Sequence, residues 1–154
     1  MREYLRVARL YMAVLAIYTV GRLITGARGV PYDKGHHIFS LVTMSLLASV
    51  FYGGFCRRWR GYTVARALGL GLTIGVMGQI VIVLATVLSY ALHVDTYFVN
   101  PRALRGLGAT APIPFWAALG ERAGGLVVNT ALNALAAGIG WAMGSALPDS
   151  GQAA

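Results

Sequence analysis

Residues 64–92, VARALGLGLTIGVMGQIVIVLATVLSYAL, hold a single charged side chain, Arg66, close to their start. Wound as an α-helix these 29 residues extend about 44 Å at a rise of ~1.5 Å each. The hydrocarbon core of a bilayer is about 30 Å thick and takes about 20 apolar residues to cross. An apolar run of this length therefore predicts a membrane-spanning helix.

Working outward, three more runs have the same character. Before it, HHIFSLVTMSLLASVFYGGF predicts a span at about residues 36–55 that stops at CRRWRG. Earlier still, YLRVARLYMAVLAIYTVGRLITG predicts a span at about 4–26, ending in the turn-rich GARGVPYDKG. Arg9 and Arg22 fall near its ends, where a long side chain reaches the headgroups while its stem stays in the apolar layer. A removable signal peptide is the rival reading of this segment, and Arg22 interrupts the pattern that reading requires.

After it, the run from Phe115 to Leu147 is too long for one perpendicular crossing. The expectation is an interfacial segment at about 114–122, anchored by Trp116, a bend at Gly124 and Gly125, and a span at about 123–147. Residues 94–114, rich in Pro and Asn, read as the longest connection, and DSGQAA at 149–154 as a frayed tail.

Composition agrees with this reading. Hydrophobic residues make up 57% of the chain and charged residues 12%, with a mean hydropathy of +0.65. The 154 residues leave no room for a separate soluble domain. The predicted fold is all-α: a polytopic membrane protein, one domain, a four-transmembrane-helix bundle. The net charge of +8 does not point to nucleic acid, because the basic residues flank apolar runs instead of forming a water-facing stripe with aromatic platforms. They serve as topology signals and headgroup contacts. The lone Cys56 excludes an intramolecular disulfide. The four arginines of CRRWRGYTVAR place that loop in the cytoplasm, so that both termini lie inside a bacterial plasma membrane.

Four crossings bring the start of span two, the end of span three and the start of span four to one face. That collects Asp33, His36, His37, His93 and Asp95 on one rim, with Glu121, and Arg22 arrives there from span one. Imidazole nitrogens and carboxylates are the donors a divalent metal such as zinc prefers, so these five residues are candidate ligands, and a haem held between facing histidines is the variant. The spacing matches no HExxH motif. The bland alternative is interfacial: polar tips at the water boundary and charges suited to helix ends. Arg22 is expected to pair with Asp33, Asp95 or Glu121.

Within the spans, the polar inventory is Gln79, Asn129, Asn133 and a few hydroxyls. No deep ionisable group supports a proton relay. Gln79 is expected to bond Asn129 or Asn133 as packing glue between spans three and four. Gly71, Gly75 and Gly78, with Ala136 or Gly140 and Gly144, suit close approach of the same two helices.

No nucleophile-base pair, phosphate loop or dinucleotide fingerprint is present, so nothing argues for catalysis. The leading expectation is a small membrane protein acting by binding or assembly, as a scaffold or subunit, with lipid, further copies of itself or other membrane subunits as partners. A second is an oligomeric channel or passive transporter lined by Gln79, Asn129 and Asn133. A third is a metal or haem site on the rim; cofactors are otherwise expected to be absent.

Overall fold

The computed structural model describes residues 2–106 and 108–146, and these are helical with irregular connections. In chain order the helices are α1 (Arg2–Val7), α2 (Arg9–Ala27), α3 (Tyr32–Gly35), α4 (Leu41–Arg60), α5 (Val64–Ala91), α6 (Pro101–Arg105) and α7 (Phe115–Met143), and a 3-10 turn follows at Gly144–Ala146. Three of them are long and apolar enough to cross a membrane: α2, α5, and α7 with its terminal turn. The helix of the predicted second span, α4, is not among the three; Arg57, Arg58 and Arg60 fill its last turn and dilute its apolar content.

The helix boundaries follow local chemistry. Helix α4 begins at Leu41, not at His36. Phe39 takes a left-handed φ of 54° and breaks the run, and the Ser40 hydroxyl accepts the backbone N–H of Thr43 as an N-cap. Its C-terminus is closed by Gly61 at φ 62°, whose left-handed conformation a side chain would strain. The Thr63 hydroxyl caps α5 in the same way as Ser40 caps α4. The first predicted span is interrupted at Ala8, which separates the short α1 from α2. Helix α7 runs unbroken through Gly124 and Gly125: two glycines weaken a helix by about 1 kcal/mol each but remove no backbone hydrogen bond. The predicted tail at 149–154 and the end of the fourth predicted span lie outside the described residues.

Helices α4 and α5 form the centre, with α2 packed against one side and α7 against the other. Contact with α7 depends on small residues. A Cβ on Gly53 or Gly140 would overlap a backbone carbonyl across the α4–α7 crossing, and one on Gly71 would meet Asn133 and Ala137 across α5–α7. Thus α5 and α7 are neighbours, as their small residues predict, while Gly140 and Gly144 face α4 and Gly78 faces Tyr11 of α2.

Polar side chains are buried beside an apolar core that includes Leu15, Leu70, Ile74 and Phe98, and many large apolar side chains face outward. Ser45, Ser49, Gln79, Thr86, Ser89 and Asn133 are buried, while Leu10, Ile17, Leu47, Phe51, Leu84, Val127, Leu135 and Ile139 are 59–69% exposed. Ser45, Thr86 and Ser89 donate to carbonyls four residues back on their own helices, and Ser49 donates to Asn133 Oδ1 at 2.7 Å, whereas the buried Thr130 hydroxyl of α7 has no partner among the described residues.

Candidate functional site

The predicted rim exists as an end of the bundle, but it is not one cluster. The connection after α5 turns inward, so that Thr96, Tyr97 and Phe98 are buried and plug the mouth between α2, α5 and α7. The Tyr97 hydroxyl donates to the Val30 carbonyl at 2.9 Å and ties this plug to the loop after α2. Burial pushes the Tyr97 phenol above its usual range, the nearby Arg22 guanidinium opposing, so the hydroxyl stays a donor.

The five candidate metal ligands divide among separate places around this plug. Asp33 forms an ion pair with Arg102 of α6. The His36 and His37 rings lie side by side, centroids 3.7 Å apart and tilted by 40°, and His36 stacks on Tyr32. His93 is exposed at φ 54° beyond the end of α5, and Asp95 lies with Tyr90 and Asn100 at a different hollow. Among the described residues no group of three or more His, Cys, Asp or Glu could hold a metal ion. The reason is the inward plug, which separates the end of α5 from the start of α4.

The charge pairs differ from expectation for a related reason. Glu121 binds Arg105 Nε at 3.0 Å and Asp33 binds Arg102, so α6 supplies the cations for both acids. Arg22 has no carboxylate partner among the described residues. Its Nη1 donates to the His36 carbonyl at 3.2 Å, and its guanidinium lies over the rings of Tyr97 and Phe98 at 5.4 and 5.8 Å. Arg122 is likewise without an acid: Nε donates to Thr86 Oγ1 at 3.1 Å and Nη2 to the Phe98 carbonyl at 2.7 Å.

Both arginines line one cavity of about 340 Å³. Tyr32, His36, His37, Ser40 and Thr43 add polar edges, and Leu41, Val42, Ile82, Phe98 and Ala103 form the apolar walls. Among the described residues no carboxylate lines it. His36 Nδ1 lies 3.0 Å from the Tyr32 carbonyl, which can only accept, so Nδ1 carries the proton and Nε2 is the free nitrogen. Each guanidinium has five N–H donors; Arg22 spends one and Arg122 two on the protein. The remaining donors and two positive charges suit an anion with several oxygens.

Arg122 was legible only in part. It follows Glu121, and adjacent helical residues point about 100° apart, so one faces α6 while the other faces the cavity. Among the bundle amides, Asn133 bonds Ser49 and the Asn129 carbonyl, stitching α4 to α7. The Gln79 and Asn129 amides both lie beside Gly125, yet no bond joins Gln79 to Asn129 or Asn133. In place of the expected α5–α7 amide bond, Asn133 is held by Ser49 of α4.

No protein-family model matches this chain, and comparison with curated proteins and with solved structures gives no significant match.

Proposed function

We propose that the chain is a four-helix protein of a bacterial inner membrane, with both termini cytoplasmic, and that it acts by binding an anionic group at the outer end of the bundle. It serves as a binding protein, or as the binding subunit of a larger membrane assembly. The observation that carries this reading is the pair Arg22 and Arg122 in one cavity that, among the described residues, no carboxylate lines. Half-buried cations lose hydration and, without a counter-charge, persist only where something repays that cost. The carbonyls of His36 and Phe98 orient the guanidiniums but leave their charge unneutralised. An oxyanion would supply both charge and acceptors.

The counting of α4 as a fourth span rests on its exposed face. Twenty residues give about 30 Å of helix, and Leu47 and Phe51 point outward while Ser45, Ser49 and Cys56 point in. Exposed apolar and buried small or polar side chains suit a lipid surround. The dense Arg57–Arg66 loop supports the cytoplasmic assignment of that end.

Equilibrium dialysis of the full chain in a neutral detergent against labelled inorganic phosphate tests the reading. Saturable binding of one phosphate per chain is expected, weakened about tenfold to a hundredfold by Arg22→Gln or Arg122→Gln, the value of a charge-assisted hydrogen bond. Uptake that does not saturate, or that ignores both substitutions, overturns it.

A further inference from the structure

We infer that the anion is the phosphate headgroup of a single membrane lipid, with one acyl chain lying in the groove between α2 and α4; this rests on the anion-binding reading above. The groove is a separate hollow of about 410 Å³. Leu10, Val14 and Tyr18 form its α2 wall, and Met44, Leu47 and Phe51 its α4 wall. It meets the arginine cavity at His37, Ser40 and Thr43, which line both.

Continuity and length identify the occupant. From its N-cap Ser40 to Phe51 the groove follows α4 over eleven residue-to-residue steps, about 16 Å at the helical rise. That is roughly half of the ~30 Å hydrocarbon core, the depth of one leaflet. The polar end of the groove shares His37, Ser40 and Thr43 with the cavity that holds the two guanidiniums, and its far end is lined by Leu10, Phe51 and Tyr52. A molecule that fills both spaces has an anionic head and an apolar chain of leaflet length. A second helix laid in the groove would cover the apolar walls but leave the arginines without a counter-charge.

A phosphate fits the head better than a carboxylate. Two guanidiniums with unspent donors, together with the Tyr32 hydroxyl and the one proton that the mutually bonded Ser40 and Thr43 hydroxyls leave over, offer more donors than two carboxylate oxygens can accept. A phosphomonoester has three terminal oxygens and a charge of about −1.5 to −2 near neutral pH. Its planar, bidentate recognition is the geometry arginine provides.

The test is native mass spectrometry of the full chain released from neutral detergent, titrated separately with phosphatidate, with diacylglycerol and with inorganic phosphate. One phosphatidate per chain is expected, bound at least tenfold tighter than diacylglycerol or inorganic phosphate. Arg22→Gln and Arg122→Gln should abolish most of the preference for phosphatidate over diacylglycerol. Leu47→Trp, at an exposed position outside the arginine cavity, should remove the advantage of phosphatidate over inorganic phosphate and leave phosphate binding unchanged; Val14→Trp repeats the test from the opposite wall. Arginine-dependent phosphate binding with no gain from the lipid tail, and no effect of either groove variant, would overturn the lipid inference while leaving the anion site standing. Binding of neither ligand in an arginine-dependent way would overturn both. A lipid-free dimer disrupted by Leu47→Trp would assign the groove to a second copy of the chain and overturn the lipid.

Discussion

The two ends of this bundle use arginine in opposite ways. At the end formed by the α4–α5 loop, Arg57 donates to the carbonyls of Trp141 and Ala142 at 2.9 and 3.3 Å, and its guanidinium lies 4.0 Å from the centre of the Trp141 ring. Its charge faces the C-terminal turn of α7, where a helix carries partial negative charge. The Trp141 indole N–H in turn donates to the Tyr62 carbonyl at 2.6 Å, and the Tyr62 hydroxyl to Glu3 at 2.8 Å. Every step of that chain closes on the protein. At the other end Arg22 and Arg122 also find carbonyls and aromatic rings, but they line a cavity with no acid in its wall among the described residues. Carbonyls and rings hold the arginines at both ends; the difference is that Arg57 closes on the C-terminal turn of α7, whereas Arg22 and Arg122 border a space a guest could enter.

Substitutions at the two ends should therefore separate binding from stability. The largest contrast is in phosphate affinity: replacing Arg22 and Arg122 together by Gln should lower it about a hundredfold or more, the sum of two charge-assisted contacts, whereas Arg57→Gln should leave it unchanged in equilibrium dialysis. Stability should respond in the reverse sense. Arg57→Gln removes a helix-end cation and a cation–π contact and should cost about 1–2 kcal/mol in denaturant unfolding in detergent. Equal loss of phosphate affinity at both ends would erase the distinction.

Smaller effects sharpen it. Tyr62→Phe breaks the bond to Glu3 and should cost about 1 kcal/mol. Burial, and then the Glu3 hydrogen bond and charge, push the Tyr62 phenol up to about 12. A raised phenol favours the folded state below the ordinary tyrosine value of about 10. That contribution is lost as pH rises through about 12. Phenolate absorbance should show Tyr62 among the late-ionising tyrosines of the native protein, with Tyr97 also late, and Tyr62→Phe should reduce the late step by one tyrosine. The least effect belongs to the exposed Asp33–Arg102 pair: Asp33→Asn should change stability by about 0–1 kcal/mol, less at high salt.

Much of the helical layout was legible because apolar run length is a property of the chain itself. The α5 run needed only counting, and its glycines announced a close neighbour. What hydropathy does not encode is where a backbone turns. The left-handed Phe39 moves the start of α4 past both histidines, and Ser40 with Thr43 is the only local mark of that boundary. The inward turn at Thr96–Phe98 was equally hidden, since a connection between apolar runs is expected at the surface. That turn undoes the proposed rim, separates His93 from His36, and supplies the carbonyl that orients Arg122. Arg22 was expected to pair with Asp33, Asp95 or Glu121, but α6 holds Asp33 and Glu121, and Asp95 lies at a different hollow.

The most direct test of the account is the phosphate-dependent rise in melting temperature of the full chain in neutral detergent, measured against chloride at equal ionic strength. A ligand that binds only the folded state must raise it. The account predicts a rise in the native protein and in Arg57→Gln, and none in Arg22→Gln or Arg122→Gln. The same rise in all four proteins, or its loss only in Arg57→Gln, would contradict it.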